Sequence, residues 1–265
     1  MKILCVLLLG IVSACTSLPG ARTETVAGSV VEFTVRGTGR PVVVLEAGLG
    51  DGMDSWAQVV APIAEFATVF AYNRAGYGNS ARRTEPRSGA QIVTELRTAL
   101  VHAGLQPPYL LVGHSFGGTY MELFARLHPT EVAGLVLVES RAASMTRRCR
   151  EARLLLCDPP KFLIAALPGA AAAEYAVSDT TFAQVEAAGA LPEVPLIVLT
   201  SDKLRLVEGP KWSALWLKTQ RELATQSPRG EHRVTTQSGH YLQKEQPEWV
   251  IKAVRDAASG EISHP

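Results

Sequence analysis

Tyr109-Leu110-Leu111-Val112-Gly113-His114-Ser115-Phe116-Gly117-Gly118 runs from four apolar residues into a serine set among glycines, and a helical pattern over 119–127 follows. A short run that is apolar on both faces suits a strand buried inside a parallel sheet. A strand passing directly into a helix must turn sharply, which forces the residue at the turn into a strained backbone region. Glycines beside it leave room for close packing. Such a turn lifts the Ser115 hydroxyl above the sheet and gathers helix-start N–H groups around it. The arrangement predicts a serine raised at a strand's carboxyl end.

The rest of the chain repeats the same grammar. Continuous apolar, β-branched runs at 42–45, 69–72, 135–138 and 196–199 read as further buried strands, and 90–103 and 119–127 read as helices. The second helix is expected to stop at His128-Pro129, because proline disfavours helical backbone in the residue before it. Residues 26–35 alternate loosely up to the turn cluster Arg36-Gly37-Thr38-Gly39-Arg40 and read as an antiparallel edge hairpin. Alternating strands and helices predict an α/β fold with an open, mostly parallel, doubly wound sheet. The alternation is interrupted once. Residues 141–193 show only Ala- and Leu-rich helical sequence, broken at Pro159-Pro160 and Pro168-Gly169. An insertion after the strand ending near Glu139, at the sheet edge where ligands bind, predicts a helical lid. The short alanine run 170–173 reads as helix filler, and no internal repeat is present.

A serine hydroxyl needs a base to act as a nucleophile at neutral pH. Of six histidines, His102 lies near a helix end, His128 precedes a proline, His232 begins a late strand and His264 is in the tail. His114 sits within the turn itself. His240 differs: it stands in Ser238-Gly239-His240-Tyr241-Leu242, between the last expected strand, 232–236, and a helix starting near Pro247.

The turn around Ser115, the Gly239-His240-Tyr241-Leu242 loop and the Gln246-Pro247-Glu248 run together resemble the α/β-hydrolase family over roughly residues 40–258. The resemblance implies that Ser115 is the nucleophile, that His240 is the general base, and that His114 points into the sheet packing. It implies a third member, a carboxylate orienting the base. The commonest family position falls at Leu204, with Asp202 two residues early. Some members, certain haloalkane dehalogenases among them, carry the acid one strand earlier, where Glu139 stands. Glu139 is the preferred acid and Asp202 the alternative. The oxyanion hole would be the backbone N–H groups of Phe116 and of Leu49, in Glu46-Ala47-Gly48-Leu49-Gly50. Relatives usually carry His-Gly where Ala47-Gly48 stands. The run from Tyr72 to Ser80 resembles the family's Asp-x-Arg-Gly-x-Gly-x-Ser turn with Asn73 in the acidic place, and reads as scaffold. Trp212 and Trp216, four apart on an expected helix, read as packing, with a substrate-facing pair as the alternative.

The implied activity is a serine hydrolase that cleaves a carboxylic ester through an acyl-enzyme; thioester, amide and acyl-transfer variants stay open. Dehalogenase and epoxide-hydrolase relatives use aspartate as nucleophile, so Ser115 argues against both. The Ala/Leu-rich lid suggests a small, apolar, ester-like substrate. A different class of function also stands: a non-catalytic envelope lipoprotein using the fold to bind a ligand or partner.

Composition narrows the setting. The 265 residues are 47% apolar and 19% charged, as in an ordinary globular chain. Lys+Arg is 26 against 25 Asp+Glu, so no charge excess draws the protein to nucleic acid. The P-loop and H-E-x-x-H patterns are absent, and no cofactor or metal is implied. At the N-terminus, Met1-Lys2 precedes ten apolar or small residues, 3–12. That is half of the roughly 20 residues a membrane span needs, so it reads as a signal-peptide core. Val12-Ser13-Ala14-Cys15 then resembles the bacterial lipobox, which implies cleavage before Cys15 and lipidation of its thiol. Acyl chains add about 0.8 kcal/mol of membrane binding per buried CH₂. The lipid bilayer is thus an expected partner, and Thr16-Ser17 following the cysteine implies the outer membrane, facing the periplasm.

The expected division is signal peptide 1–14, lipidated tether 15–25, hydrolase core 26–140 and 194–260, and lid 141–193. Cys149 and Cys157 remain for an oxidising compartment, which favours a disulfide. Eight residues of unbroken helix would hold them about 12 Å apart, beyond the ~7 Å limit for a bridge. Either the helix breaks between them or the thiols stay free.

Overall fold

In the computed structural model, which describes residues 17–154, 157–158, 161–203 and 209–261, the expected apolar runs form one eight-stranded sheet. Its strands are β1 (Arg22–Val26), β2 (Ser29–Arg36), β3 (Val42–Glu46), β4 (Thr68–Tyr72), β5 (Tyr109–His114), β6 (Val132–Val138), β7 (Leu196–Ser201) and β8 (Gly230–Thr235). They lie in the order β1-β2-β4-β3-β5-β6-β7-β8. β1 and β2 pair antiparallel, as do β2 and β4; every other neighbouring pair is parallel. The fold is the mostly parallel α/β sheet that the sequence predicts.

The helices are α1 (Ala57–Ala64), α2 (Gly89–His102), α3 (Phe116–Leu127), α4 (Ser144–Glu151), α5 (Lys161–Ala165), α6 (Ala171–Ala176), α7 (Ser178–Ala187), α8 (Gly209–Ala224), α9 (Leu242–Glu245) and α10 (Pro247–Ser259). Successive strand residues point to opposite faces of a sheet, and both faces are covered. Val42, Val44, Leu111 and Leu137 pack with Leu96 of α2 and Leu123 of α3. Val43, Leu45, Val112 and Val136 pack with Ile63 of α1 and Val250 of α10. β3, β4 and β5 are buried at every position, which is why these strands read as unbroken apolar runs rather than alternating ones. α3 ends at Leu127, before His128-Pro129, as expected.

Two expectations need correction. The stretch 15–25 does not serve as a tether throughout: Leu18 is buried with the α1 and α10 face, and the chain enters the sheet at Arg22. The hairpin turn is Ala27-Gly28, both at positive φ, rather than the 36–40 cluster. Two-residue hairpins need that conformation, and alanine at its first position hides it from a reading based on turn residues. Cys15 and the whole signal-peptide pattern lie outside the described residues.

Among the described residues, 141–193 contains four helices, α4 to α7, and no strand. The segment is docked, not loose. Thr181 and Gln184 of α7 accept the N–H groups of Gly89 and Ala90 at 2.9 and 3.0 Å, satisfying first-turn donors of α2 that have no partner within their own helix. Cys149 and Cys157 are bridged, with their Cα atoms 5.5 Å apart. The reach follows from α4 ending at Glu151 and Arg153 turning into the left-handed region, the break that a bridge requires. No helix among the described residues is long and apolar enough to cross a membrane.

Candidate active site

Ser115 sits between β5 and α3 with φ +52° and ψ −119°. A non-glycine residue there costs about 1–3 kcal/mol and persists only when its surroundings impose it. The surroundings are backbone. The Ser115 N–H donates to the Val138 carbonyl at 3.0 Å, and the Ser115 carbonyl accepts from the Arg141 N–H at 2.9 Å. A Cβ added at Gly113 would lie 2.6 Å from the Gly118 Cα, and one at Gly117 2.4 Å from the Ala47 carbonyl oxygen. Both glycines are therefore demanded by close approach of backbone, and α3 is thereby seated against the end of β3.

Glu139 follows β6 directly, also at positive φ, +47°. Its carboxylate is fully buried, and its Oε2 lies 3.2 Å from His240 Nδ1. The other oxygen, Oε1, accepts the Ser201 N–H at 2.7 Å and the Trp216 indole N–H at 3.2 Å. With Nδ1–H donating to the carboxylate, His240 keeps its Nε2 lone pair for accepting a proton. The His240 side chain is one-third exposed while Glu139 is sealed beneath it, so the ring can meet a ligand and the acid cannot. Asp202 lies elsewhere: it is exposed at the end of β7, where its N–H pairs with the Thr235 carbonyl at 2.7 Å.

The His240 loop is held from several sides. The Ser201 hydroxyl donates to the Ser238 carbonyl at 2.5 Å, and the Gly239 N–H donates to Glu245 at 2.8 Å. His114 is buried under the same loop, its Nε2 2.9 Å from the His240 carbonyl oxygen and its ring 4.7 Å from the His240 ring. Since a carbonyl only accepts, His114 Nε2 carries the hydrogen. His114 thus does more than fill sheet packing, because it ties the residue before Ser115 to the loop bearing His240.

The loop after β3 reaches the same place. The position a Cβ would take at Gly48 is 3.3 Å from Ser115 Cβ and 3.0 Å from His114 Nδ1, so the backbone that leads into Leu49 passes beside the serine. Phe116 is the first residue of α3, where backbone N–H groups have no intrahelical acceptor. Beneath this loop Arg74 is buried and uses all five of its N–H groups. They reach the Glu46 carboxylate (2.6 Å), the carbonyls of Ala47 (2.7 Å) and Gly48 (2.9 Å), and both oxygens of Glu174 (2.9 and 3.0 Å). Burial pushes the Glu46 carboxyl up, and Arg74 and the Tyr72 hydroxyl pull against that rise. Burial likewise raises the Tyr77 phenol to about 12, so it remains a hydrogen-bond donor at neutral pH.

A family model for the α/β hydrolase fold matches residues 41–255. The chain belongs to the α/β-hydrolase fold family. Its sequence is 34% identical to the Bacillus subtilis (strain 168) protein YqjL over 119 residues, 44% of this chain and 47% of that one. It is 31% identical to RutD of Azorhizobium caulinodans over 140 residues, 51% and 52% of the two chains. The matches thus span about half the length of these curated relatives. Solved structures resemble the fold over nearly the whole chain. An epoxide hydrolase mutant of Vigna radiata superposes with a TM-score of 0.72 at 15% identity, covering 91% of this chain and 98% of that one. A thermophilic esterase from Thermogutta terrifontis does so with 0.63 at 21% identity, covering 92% and 99%.

As an α/β-hydrolase fold protein the chain brings Ser115, Phe116, Leu49, His240 and Glu139 to one sheet edge and leaves Asp202 outside. Trp216 supplies what sequence spacing did not reveal. It stacks on Trp212 with ring centroids 5.1 Å apart, as packing predicts, yet its indole N–H also holds Glu139. Trp216→Phe preserves an aromatic stack and removes one of the donors to this buried carboxylate. It is expected to lower stability by about 1–3 kcal/mol, read from urea unfolding. An unchanged midpoint would mean that the bond contributes nothing.

Proposed function

We propose that this α/β-hydrolase fold protein is a serine hydrolase acting on a carboxylic ester or a related acyl bond. The observation that carries the reading is the His240 Nδ1 to Glu139 Oε2 contact at 3.2 Å, in a loop whose His240 carbonyl is tied at 2.9 Å to His114, the residue before the strained Ser115. A buried carboxylate behind a partly exposed imidazole, with a serine hydroxyl for that imidazole to deprotonate, is the arrangement that acyl transfer needs.

In this mechanism Ser115 Oγ attacks the acyl carbonyl carbon and His240 Nε2 takes the serine proton. The carbonyl oxygen becomes an oxyanion, which accepts from the Leu49 and Phe116 N–H groups. Collapse breaks the bond to the leaving group, and His240 delivers its proton there. Water then attacks the acyl-enzyme with His240 again as base, which releases the acid and restores Ser115. Glu139 keeps the imidazole oriented and balances its charge when protonated. The epoxide-hydrolase likeness carries fold alone, and a serine where those enzymes use aspartate points away from epoxide opening. The helices of 141–193 act as the lid over an apolar acyl pocket.

A fluorophosphonate probe is expected to label the folded protein at Ser115 and not to label Ser115→Ala. Failure to label the wild-type chain, with a control hydrolase reacting alongside, would contradict the reading. For the acid, Glu139→Gln is expected to lower kcat on p-nitrophenyl esters by about 10²- to 10⁴-fold, while Asp202→Asn leaves it nearly unchanged. The reverse order would move the acid to β7.

The same proposal places the enzyme at the bacterial envelope, exported and anchored by lipid on Cys15. The support is the sequence alone: a short apolar core followed by Val12-Ser13-Ala14-Cys15. Cys15→Ser is expected to abolish incorporation of labelled palmitate and release the protein from the membrane fraction. Unchanged membrane association would remove the anchor from the account.

A further inference from the structure

The contacts of Arg74 converge on one amide. The Gly48 carbonyl accepts from Arg74 Nη2 at 2.9 Å, and that carbonyl belongs to the same peptide unit as the Leu49 N–H. In a planar trans amide the two point in opposite directions, so whatever holds the carbonyl also aims the N–H. The peptide units on either side are held as well. The Ala47 carbonyl accepts from Arg74 Nη1 at 2.7 Å, and the Gly50 N–H donates to the Tyr77 hydroxyl at 3.3 Å. A cation on the carbonyl side also polarises the amide, which strengthens its N–H as a donor.

What holds Arg74 and Tyr77 comes from the inserted segment. Glu174 of α6 is fully buried, receives Arg74 Nε and Nη2 at 2.9 and 3.0 Å, and accepts the Tyr77 hydroxyl at 3.1 Å. The loop is thus gripped from below by a guanidinium and a phenol that both depend on one carboxylate of a helix about 100 residues away in the chain.

We propose that Arg74 and Glu174 are positioning residues for the Leu49 N–H, so that docking of α6 against the core aligns the oxyanion donor. This rests on the serine-hydrolase reading above. It gives the segment 141–193 a second role beyond covering a pocket: the hole is in shape only while α6 is seated. Glu46 grips the guanidinium from the β3 side at 2.6 Å, so loss of Glu174 would loosen Arg74 without freeing it.

Glu174→Gln keeps the shape and removes the charge. Its one carbonyl oxygen can replace Oε2, which receives both Arg74 Nη2 and the Tyr77 hydroxyl, but an NH₂ donor then faces Arg74 Nε in place of Oε1. It is expected to lower kcat for a p-nitrophenyl ester by about 10- to 100-fold, less than outright loss of an oxyanion donor, with KM changed by under about threefold. Affinity for a boronic acid that forms a tetrahedral adduct on the serine should fall by the same factor as kcat/KM. The pH profile of kcat/KM should keep its shape, because His240 and Glu139 are untouched. Tyr77→Phe retains the ring beside Arg74 and removes only the hydroxyl; it should show the same pattern with a smaller loss, and it carries the test if Glu174→Gln does not fold. A lowered unfolding midpoint with kcat per titrated active site and boronate affinity unchanged in both variants would overturn the proposal. If the wild-type chain is neither labelled by fluorophosphonate nor bound by the boronic acid, the hydrolase reading falls and this inference falls with it. If the wild type reacts and the variants match it, only the positioning role fails.

Discussion

The strained turn at Ser115 is the constraint on which the rest of the structure depends. A residue at φ +52° between a strand and a helix must be imposed by its neighbours. Here the neighbours are the ends of the two strands beside β5. The Val138 carbonyl at the end of β6 holds the Ser115 N–H, and the backbone at the end of β3 presses against Gly117. Those same strand ends lead into Glu139 on one side and into the Ala47–Leu49 loop on the other. One packing requirement thereby brings the candidate nucleophile, acid and oxyanion donors to a common edge, although 90 residues separate Leu49 from Glu139 in the sequence.

Two buried polar networks flank that turn, and each is satisfied almost entirely by protein groups. On the β6 side, Glu139 is held by Ser201, Trp216 and His240. On the β3 side, Arg74 is held by Glu46, Glu174 and two backbone carbonyls. Buried charge without partners is costly, so both networks act as registration devices: the loops that supply them can take few other positions. The inserted helices belong to this scheme, since α6 supplies Glu174 and α7 caps α2.

Much of this was legible in the amino-acid order. Strands buried on both faces announce themselves as short apolar runs, and a glycine-flanked serine between strand and helix has few mechanical explanations. The order of elements follows from those signals, whereas the preference for Glu139 over Asp202 comes from the family resemblance, in which some members carry the acid after the strand preceding the insertion. Other features were hidden for physical reasons. The Ala27-Gly28 turn lacks the asparagine or aspartate that usually marks its conformation. Arg74 sat in a run that read as scaffold, and Glu174 followed an alanine stretch that read as filler. A lone acid in an apolar helix is itself a signal, because it asks for a buried partner, but its partner lies 100 residues away and no local pattern points there. Trp216 was read by its spacing, which reports packing and says nothing about where an indole N–H points.

The central claim is that Ser115 forms a covalent acyl intermediate. Its most direct test is rapid mixing with a p-nitrophenyl ester, acid quenching within the burst, and peptide mapping by mass spectrometry. The expected result is one nitrophenolate released per protein in the burst and an acyl group on the peptide containing Ser115. A linear time course with no acylated peptide, or acylation at another residue, would contradict the account.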